Sequence, residues 1–123
     1  MEPAETVNAF ITAIEAKDLD TALSLVSDDV EYDNVPIGKV HGPAAIRAVL
    51  EPFLAAAREV EWVIERQAAE GHLVFNERRD RFHMRGWVEV AVNGVWEVHD
   101  GRITLWRDYF DDASFRRQLA PPP

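Results

Sequence analysis

Apolar and polar residues alternate with a period of two through most of the stretch from residue 59 to residue 111, and this pattern constrains the fold more than any other feature. Successive side chains of a β-strand point to opposite faces of its sheet, so alternation predicts strands with one face on the core and the other toward solvent. The strands predicted in this way are 59–67, 72–84, 87–98 and 106–111. Consecutive strands of this kind favour a long antiparallel meander.

The dipeptide Asn93-Gly94 interrupts this series with a strong signal for a two-residue hairpin. However, Val92 before it and Trp96 after it keep the same parity, as one uninterrupted strand requires. We therefore predict a single strand here, with Gly94 at a bulge or bend. The hairpin turn itself is predicted at 99–102.

Three segments before residue 59 have the period of an amphipathic helix. They are residues 3–17, a short segment that Asp18 caps, and a segment that begins at Pro43. Pro52 lies inside the third helix and should kink it or end its first half. Residues 36–42 between the helices are predicted as a loop.

Helices followed by a meander predict an α+β fold, in which three helices of the N-terminal half pack on one side of a curved sheet and enclose a conical pocket. We expect a single domain over residues 1–119 and a disordered proline tail at 120–123. The 123 residues, of which 47% are hydrophobic, are enough for such a domain to bury its own core.

Composition narrows the classes of function. The net charge of −9 would repel phosphate backbones, so nucleic-acid binding is not expected. There are no cysteines, which excludes disulfides and thiolate metal sites and fits a reducing compartment. The four histidines show no ligand spacing, so no metal site is expected. Neither a signal peptide nor an apolar run of membrane-spanning length is recognisable, and a cytoplasmic location is expected.

Polar residues interrupt otherwise apolar strand faces at three places. These are Tyr32 with Asn34, Arg78 with Asp80, and Asp108 between Trp106 and Phe110. An ionised group without partners is costly inside a protein, so these side chains should meet in one lined cavity. The same parities make Val30, Val74, Phe82, Val90, Val92, Trp106 and Phe110 candidates for its apolar wall. Asn76 shares the parity of Arg78 and is interpreted as an amide at the edge of the core.

Two carboxylates in one apolar cavity cannot both ionise easily, so their protonation states are pushed apart. One of Asp80 and Asp108 could then act as general base and the other as general acid, with Arg78 stabilising the ionised partner. Tyr32 and Asn34 are suited to orienting a water molecule. A base, an acid and a positioned water favour hydrolysis of an electrophile, for which both a strained epoxide and a glycosidic bond are open alternatives.

The combination of Tyr32-x-Asn34, Arg78-x-Asp80 and the stretch from Trp106 to Asp111, in this order on a chain of this length, resembles the limonene-1,2-epoxide hydrolase family. That family belongs to a superfamily of cone-shaped α+β folds with nuclear transport factor 2, ketosteroid isomerase and the polyketide cyclases. The resemblance implies hydrolysis of a small lipophilic epoxide in one step, without a covalent intermediate or a cofactor. It also implies a homodimer that packs sheet against sheet.

Residue roles follow from the same resemblance. It implies that Asp108 takes a proton from a water held by Tyr32, Asn34 and Asp108 itself. Asp80 would donate a proton to the epoxide oxygen, and Arg78 would bridge the two carboxylates. Two other readings stay open: an isomerase or cyclase on the same fold, and a binding module without catalysis. Trp62, Trp87 and Trp96 are interpreted as core or interface aromatics.

Overall fold

The computed structural model describes residues 1–121, so Pro122 and Pro123 of the predicted disordered tail lie outside the described residues. The helices are α1 (Pro3–Glu15), α2 (Leu19–Leu23), α3 (Pro43–Ala56) and α4 (Asp112–Leu119). The strands are β1 (Val26–Asn34), β2 (Gly38–His41), β3 (Glu59–Glu70), β4 (Leu73–His83), β5 (Trp87–His99) and β6 (Arg102–Tyr109).

The six strands form one curved, unclosed sheet in the order β2-β1-β6-β5-β4-β3. Strands β3 to β6 form the predicted antiparallel meander. Strand β1 joins the meander in parallel with β6, which makes the sheet mixed. The prediction of a simple loop at 36–42 is wrong, because residues 38–41 pair with β1 as the short edge strand β2.

Strand β5 runs without interruption through Asn93-Gly94, as the parity argument predicted. The prediction of a bulge at Gly94 is wrong, since Gly94 pairs in register with Asn76 on β4 and with Asp108 on β6. The irregularity in the pairing of β5 with β6 lies instead at Glu97 and Val98. The hairpin turn follows at Asp100 and Gly101, whose φ angles of 53° and 74° are both left-handed, as a two-residue hairpin with a primed turn requires.

Aspartate side chains cap two of the helices, and the cap at Asp18 is as predicted. The Asp18 carboxylate accepts the Thr21 N–H at the start of α2, and Asp111 accepts two backbone N–H groups at the start of α4. Helix α3 continues past Pro52 to Ala56, so the expectation that Pro52 could end it is wrong. Among residues 1–121, no helix is both long enough and apolar enough to span a bilayer.

Helix α1 covers the middle of the sheet. Its Phe10 ring packs edge-on against Trp96 on β5 and Trp106 on β6, with ring centroids 5.6 and 5.1 Å apart. All three residues are at most 1% exposed. Helix α1 thus buries the inner face of the sheet at Trp96 and Trp106.

Candidate active site

The polar residues of three sequence segments meet because the strands align them in a row. Asn34 on β1 pairs with Asp108 on β6, Asp108 pairs with Gly94 on β5, and Gly94 pairs with Asn76 on β4. Neighbouring strands are about 4.8 Å apart, so Asp108 lies about two strand spacings from β4. Only a long side chain from β4 can reach it.

Arg78 on β4 makes this connection. Its Nε and Nη2 atoms donate to the two carboxylate oxygens of Asp80 at 3.0 Å each, a bidentate pair. Nη2 also donates to Oδ2 of Asp108 at 2.9 Å. The side chain of Arg78 is 0% exposed and those of the two aspartates are 6% exposed. One buried guanidinium therefore joins two buried carboxylates, as the sequence predicted.

Aromatic rings fix this ion-pair network in place. The guanidinium carbon of Arg78 lies 5.4 Å from the ring centroid of Trp62 and 5.6 Å from that of Trp96, both within the range of a cation–π contact. The indole N–H of Trp106 donates to Oδ1 of Asp108 at 3.0 Å. Trp106 also stacks on Tyr32, with ring centroids 3.9 Å apart.

Burial changes the protonation of this cluster. It raises the pKa of Asp80 to about 6, and the charges of Asp108 and Glu15 add to the rise, while Arg78 opposes it. Burial also raises the pKa of the Tyr32 phenol, so the hydroxyl keeps its proton. Burial disfavours the charge of Arg78, but the two carboxylates outweigh this and raise the pKa of the guanidinium. The cluster thus holds a fixed cation beside a carboxyl group that titrates near neutrality.

A cavity of about 490 Å³ opens over this cluster, within the usual size range of small-molecule sites. Of the predicted site residues, Tyr32, Asn34, Asp80 and Asp108 form its polar part, and Phe82, Val90, Val92 and Phe110 belong to its apolar wall. Arg78 lies beneath this surface, behind the two aspartates. The structure therefore brings eight predicted residues to one cavity.

Three residues predicted for the wall lie elsewhere. Val30 and Val74 are 0% exposed and belong to the hydrophobic core, and so does Trp106 at 1%. Trp106 is excluded from the cavity because Tyr32 and Trp96 stack on the two faces of its indole and Phe10 packs edge-on against it. Strand parity gives the face of the sheet, but it does not say whether a helix covers that face.

Sequence reasoning missed other parts of the wall. Trp62 belongs to the hydrophobic core, as predicted, but it also lines the cavity beside Asp80, its register partner. Phe53 and Leu54 from α3 and Phe115 from α4 cover the cavity from the helical side. Gln118 holds α4 in place by bonding to both the N–H and the C=O of Glu89 on β5. The apolar stripe of α3 was the sequence signal that could have pointed to Phe53 and Leu54. Such a stripe predicts that this face of the helix is covered, but it does not say what lies against it.

Within residues 1–121, no group of three or more histidine, aspartate or glutamate side chains is arranged to hold a metal ion. The polar side chains that line the cavity carry two carboxyl groups, one amide and one phenol, and Lys39 adds an ammonium group from β2. This donor set can position a water molecule and can move protons in both directions.

Comparison with known proteins gives consistent matches over nearly the whole chain. The model of the limonene-1,2-epoxide hydrolase catalytic domain matches residues 1–120. The epoxide hydrolase EphG of Mycobacterium tuberculosis is 39% identical over 106 residues, which are 85% of this chain and 70% of EphG.

Solved structures with the same fold include an LEH-like epoxide hydrolase from M. tuberculosis, with 36% identity and a TM-score of 0.84 over 96% of this chain and 89% of that one. An NTF2-like protein of unknown function from Burkholderia pseudomallei has a TM-score of 0.85 over 98% and 99% of the two chains. Its 19% identity shows a shared fold alone. The predicted NTF2-like α+β fold is confirmed.

Proposed function

Because this chain belongs to the limonene-1,2-epoxide hydrolase family, we propose that it converts a lipophilic epoxide to a vicinal diol in one step, by acid- and base-assisted attack of water. The observation that carries the proposal is the buried guanidinium of Arg78 between Asp80 and Asp108 beside an apolar cavity. This arrangement provides a proton donor and a proton acceptor on the same surface of the cavity.

Asp80 is the proposed general acid. Opening of an epoxide leaves an alkoxide, which must take up a proton, and an aspartate with its ordinary pKa would have no proton to give near neutral pH. Burial raises the pKa of Asp80 to about 6, which is close to the operating range of an efficient acid. The bidentate contact with Arg78 fixes the orientation of this carboxyl group.

Asp108 is the proposed general base. It accepts hydrogen bonds from Arg78 and Trp106, which hold the carboxylate in one orientation toward the cavity. Tyr32 and Asn34 lie on the neighbouring strand β1 and line the same part of the cavity, so they can hold the attacking water beside Asp108. The proton taken from water and the proton given to the epoxide oxygen balance within the cluster, and no cofactor is needed.

The proposed substrate class follows from the walls of the cavity. Apart from the polar cluster and Lys39 on β2, they consist mainly of aliphatic and aromatic side chains from α3, α4 and the strands β2 to β5. Such a surface stabilises an apolar ligand through the hydrophobic effect and offers little to hydroxyl groups. We therefore favour a lipophilic epoxide over a sugar.

We also propose a homodimer in which the outer faces of two sheets pack together. This face exposes four large apolar side chains, Val63, Phe75, Trp87 and Tyr109, each at least 39% exposed. Sedimentation velocity should show a dimer, and Phe75→Glu should shift it toward the monomer. A wild-type monomer at micromolar concentration would contradict this part of the proposal.

The reaction is tested by measuring diol formation from limonene oxide, cyclohexene oxide and styrene oxide. A single turnover in oxygen-18 water should place the label in the diol. Label in the carboxyl group of Asp80 or Asp108 would instead mean a covalent intermediate. If wild-type protein makes no diol but rearranges an epoxide with an internal hydroxyl group, the cyclase alternative replaces the hydrolase.

A further inference from the structure

We propose that Asn76 is a positioning residue for this reaction, which holds Arg78 in its bridging orientation, and that residue 94 is glycine to give the guanidinium room to cross β5. This inference rests on the proposed function of Asp80 and Asp108. It assigns a role to two residues that do not line the cavity and that the acid–base mechanism does not use directly.

The first observation is the contact between Asn76 and the far side of the guanidinium. Oδ1 of Asn76 accepts from Nη1 of Arg78 at 2.9 Å and from the indole Nε1 of Trp96 at 3.2 Å. Asn76 is 4% exposed, so water cannot easily replace it as an acceptor. Since Asn76 binds Nη1, the Nε and Nη2 donors remain directed at the two aspartates.

A short chain of amides sets the orientation of Asn76. Its Nδ2 donates to Oε1 of Gln67 at 3.1 Å, and Nε2 of Gln67 donates to Oδ1 of Asn8 on α1 at 3.0 Å. If the Asn76 amide were turned over, its N–H₂ group would face the two donors of Arg78 and Trp96. The amide oxygen is therefore held toward Arg78 from both sides.

The second observation is the lack of space at residue 94. A Cβ atom there would lie 2.5 Å from Nη1 of Arg78, 2.7 Å from Oδ1 of Asn76 and 2.9 Å from Nε1 of Trp96. These are the three atoms of the hydrogen-bonded assembly just described. The backbone at this point is a regular strand without a positive φ, so only the crossing side chain explains the glycine.

Neutrality of the Asn76 amide matters as well. The single positive charge of Arg78 is shared by two carboxylates, and an uncharged acceptor on Nη1 leaves that balance unchanged. The charged and titratable groups acting on Asp80 are Arg78 on its own strand, Asp108 on β6 and Glu15 on α1. If Asn76 is lost, the guanidinium is less firmly held against Asp80, and Asp80 keeps its proton to a higher pH.

The test compares Asn76→Leu, which removes the acceptor at similar volume, with Asn76→Gln, which keeps an uncharged amide oxygen as acceptor. Asn93→Leu on the outer face of β5 is the matched control. We expect Asn76→Leu to lower kcat about ten- to a hundred-fold and to change KM by less than about twofold. Asn76→Gln should be at least about fivefold faster than Asn76→Leu, and Asn93→Leu should resemble wild type.

The second part of the test is Gly94→Ala. Its control is Gly86→Ala, because a Cβ at Gly86 meets no atom within 4 Å. Gly94→Ala should lower kcat in the same way, and Gly86→Ala should not. In folded Asn76→Leu, carbon-13 NMR of the free protein should show the Asp80 carboxyl titrating at a higher pH than in wild type.

Folded Asn76→Leu with kcat within about threefold of wild type would overturn the inference, and so would folded Asn76→Gln that is no faster than Asn76→Leu. An unchanged Asp80 titration would overturn it as well. The NMR readout needs no substrate, so it remains decisive if wild type fails to hydrolyse epoxides, an outcome that would instead defeat the proposed function.

Discussion

Arg78 and Arg81 lie three residues apart on β4, and each contacts two carboxylates and at least one tryptophan ring. Arg78 binds Asp80 and Asp108 and lies beside the rings of Trp62 and Trp96. Arg81 binds Glu61 and Glu89, and its guanidinium carbon lies 4.2 Å from the ring centroid of Trp87. The two clusters have similar composition and face opposite sides of the sheet.

The two clusters differ mainly in their exposure to solvent. The side chain of Arg78 is 0% exposed, whereas that of Arg81 is 29% exposed and its two glutamates are about 40% exposed. Exposed ion pairs gain little because water already stabilises each charge. Buried charges lose that solvation, so their protonation responds strongly to one another. Similar side chains therefore form a surface contact on one face of the sheet and a buried ion-pair cluster beside the cavity on the other.

The largest expected effect concerns the inner carboxylates. Asp80→Asn and Asp108→Asn should each lower kcat/KM about 10²- to 10⁴-fold, because each removes one of the two proton-transferring groups. Glu89→Gln, which changes a carboxylate of the outer cluster, should stay within about twofold of wild type. The kcat/KM values are obtained from the rate of diol formation by the folded variants. More than a tenth of wild-type activity in either aspartate variant would refute the assigned roles.

The next effect concerns stability. Arg78→Leu should lower the free energy of unfolding by about 3–5 kcal/mol at neutral pH, because two buried carboxylates lose their partner. Arg81→Leu should cost at most about 1 kcal/mol. Urea denaturation followed by circular dichroism measures both. Equal losses would mean that burial does not distinguish the clusters, and Arg78→Lys gives a milder comparison if Arg78→Leu fails to fold.

The pH dependence of kcat/KM should depend on the inner cluster and not on the outer one. The acid must hold its proton, and the protonated fraction of Asp80 falls as the pH rises through its pKa of about 6. We therefore expect kcat/KM to fall about tenfold per pH unit on the alkaline side. Glu89→Gln should show the same alkaline limb as wild type. A flat profile between pH 6 and about 9 would contradict the role of Asp80 as the acid.

The smallest expected effect is the response to salt. The screening length of water shrinks from about 10 Å at 0.1 M salt to about 3 Å at 1 M, and exposed pairs are screened more than buried ones. The difference in stability between wild type and Arg81→Leu should therefore shrink at high salt. The difference in stability between wild type and Arg78→Leu, measured in the same denaturation series, should stay the same at high salt. If high salt reduced the effect of Arg78→Leu and not that of Arg81→Leu, Arg78 would have to be accessible to solvent.

Several features of the fold could be predicted from the sequence because they depend on local periodicity. Strict alternation along β4 separates Arg78 and Asp80 from Arg79 and Arg81, and the structure shows the same alternation of buried and exposed residues. The parity of the side chains along β5 also predicted correctly that the strand continues through Asn93-Gly94, in spite of the turn signal of this dipeptide. The reason for that glycine could not be predicted, because the side chain that needs the space comes from another strand.

Local alternation is enough to specify which side chains face the inside of the sheet, since the two-residue period of a strand is a property of the local backbone. Which of these side chains meet the cavity depends on how the helices pack on that face. Helix α1 covers Trp106 with Phe10, whereas Phe82, Val90 and Val92 line the cavity. Phe53 and Phe115 complete the wall from α3 and α4. Where each helix rests depends on packing between residues distant in the chain, which local patterns do not encode.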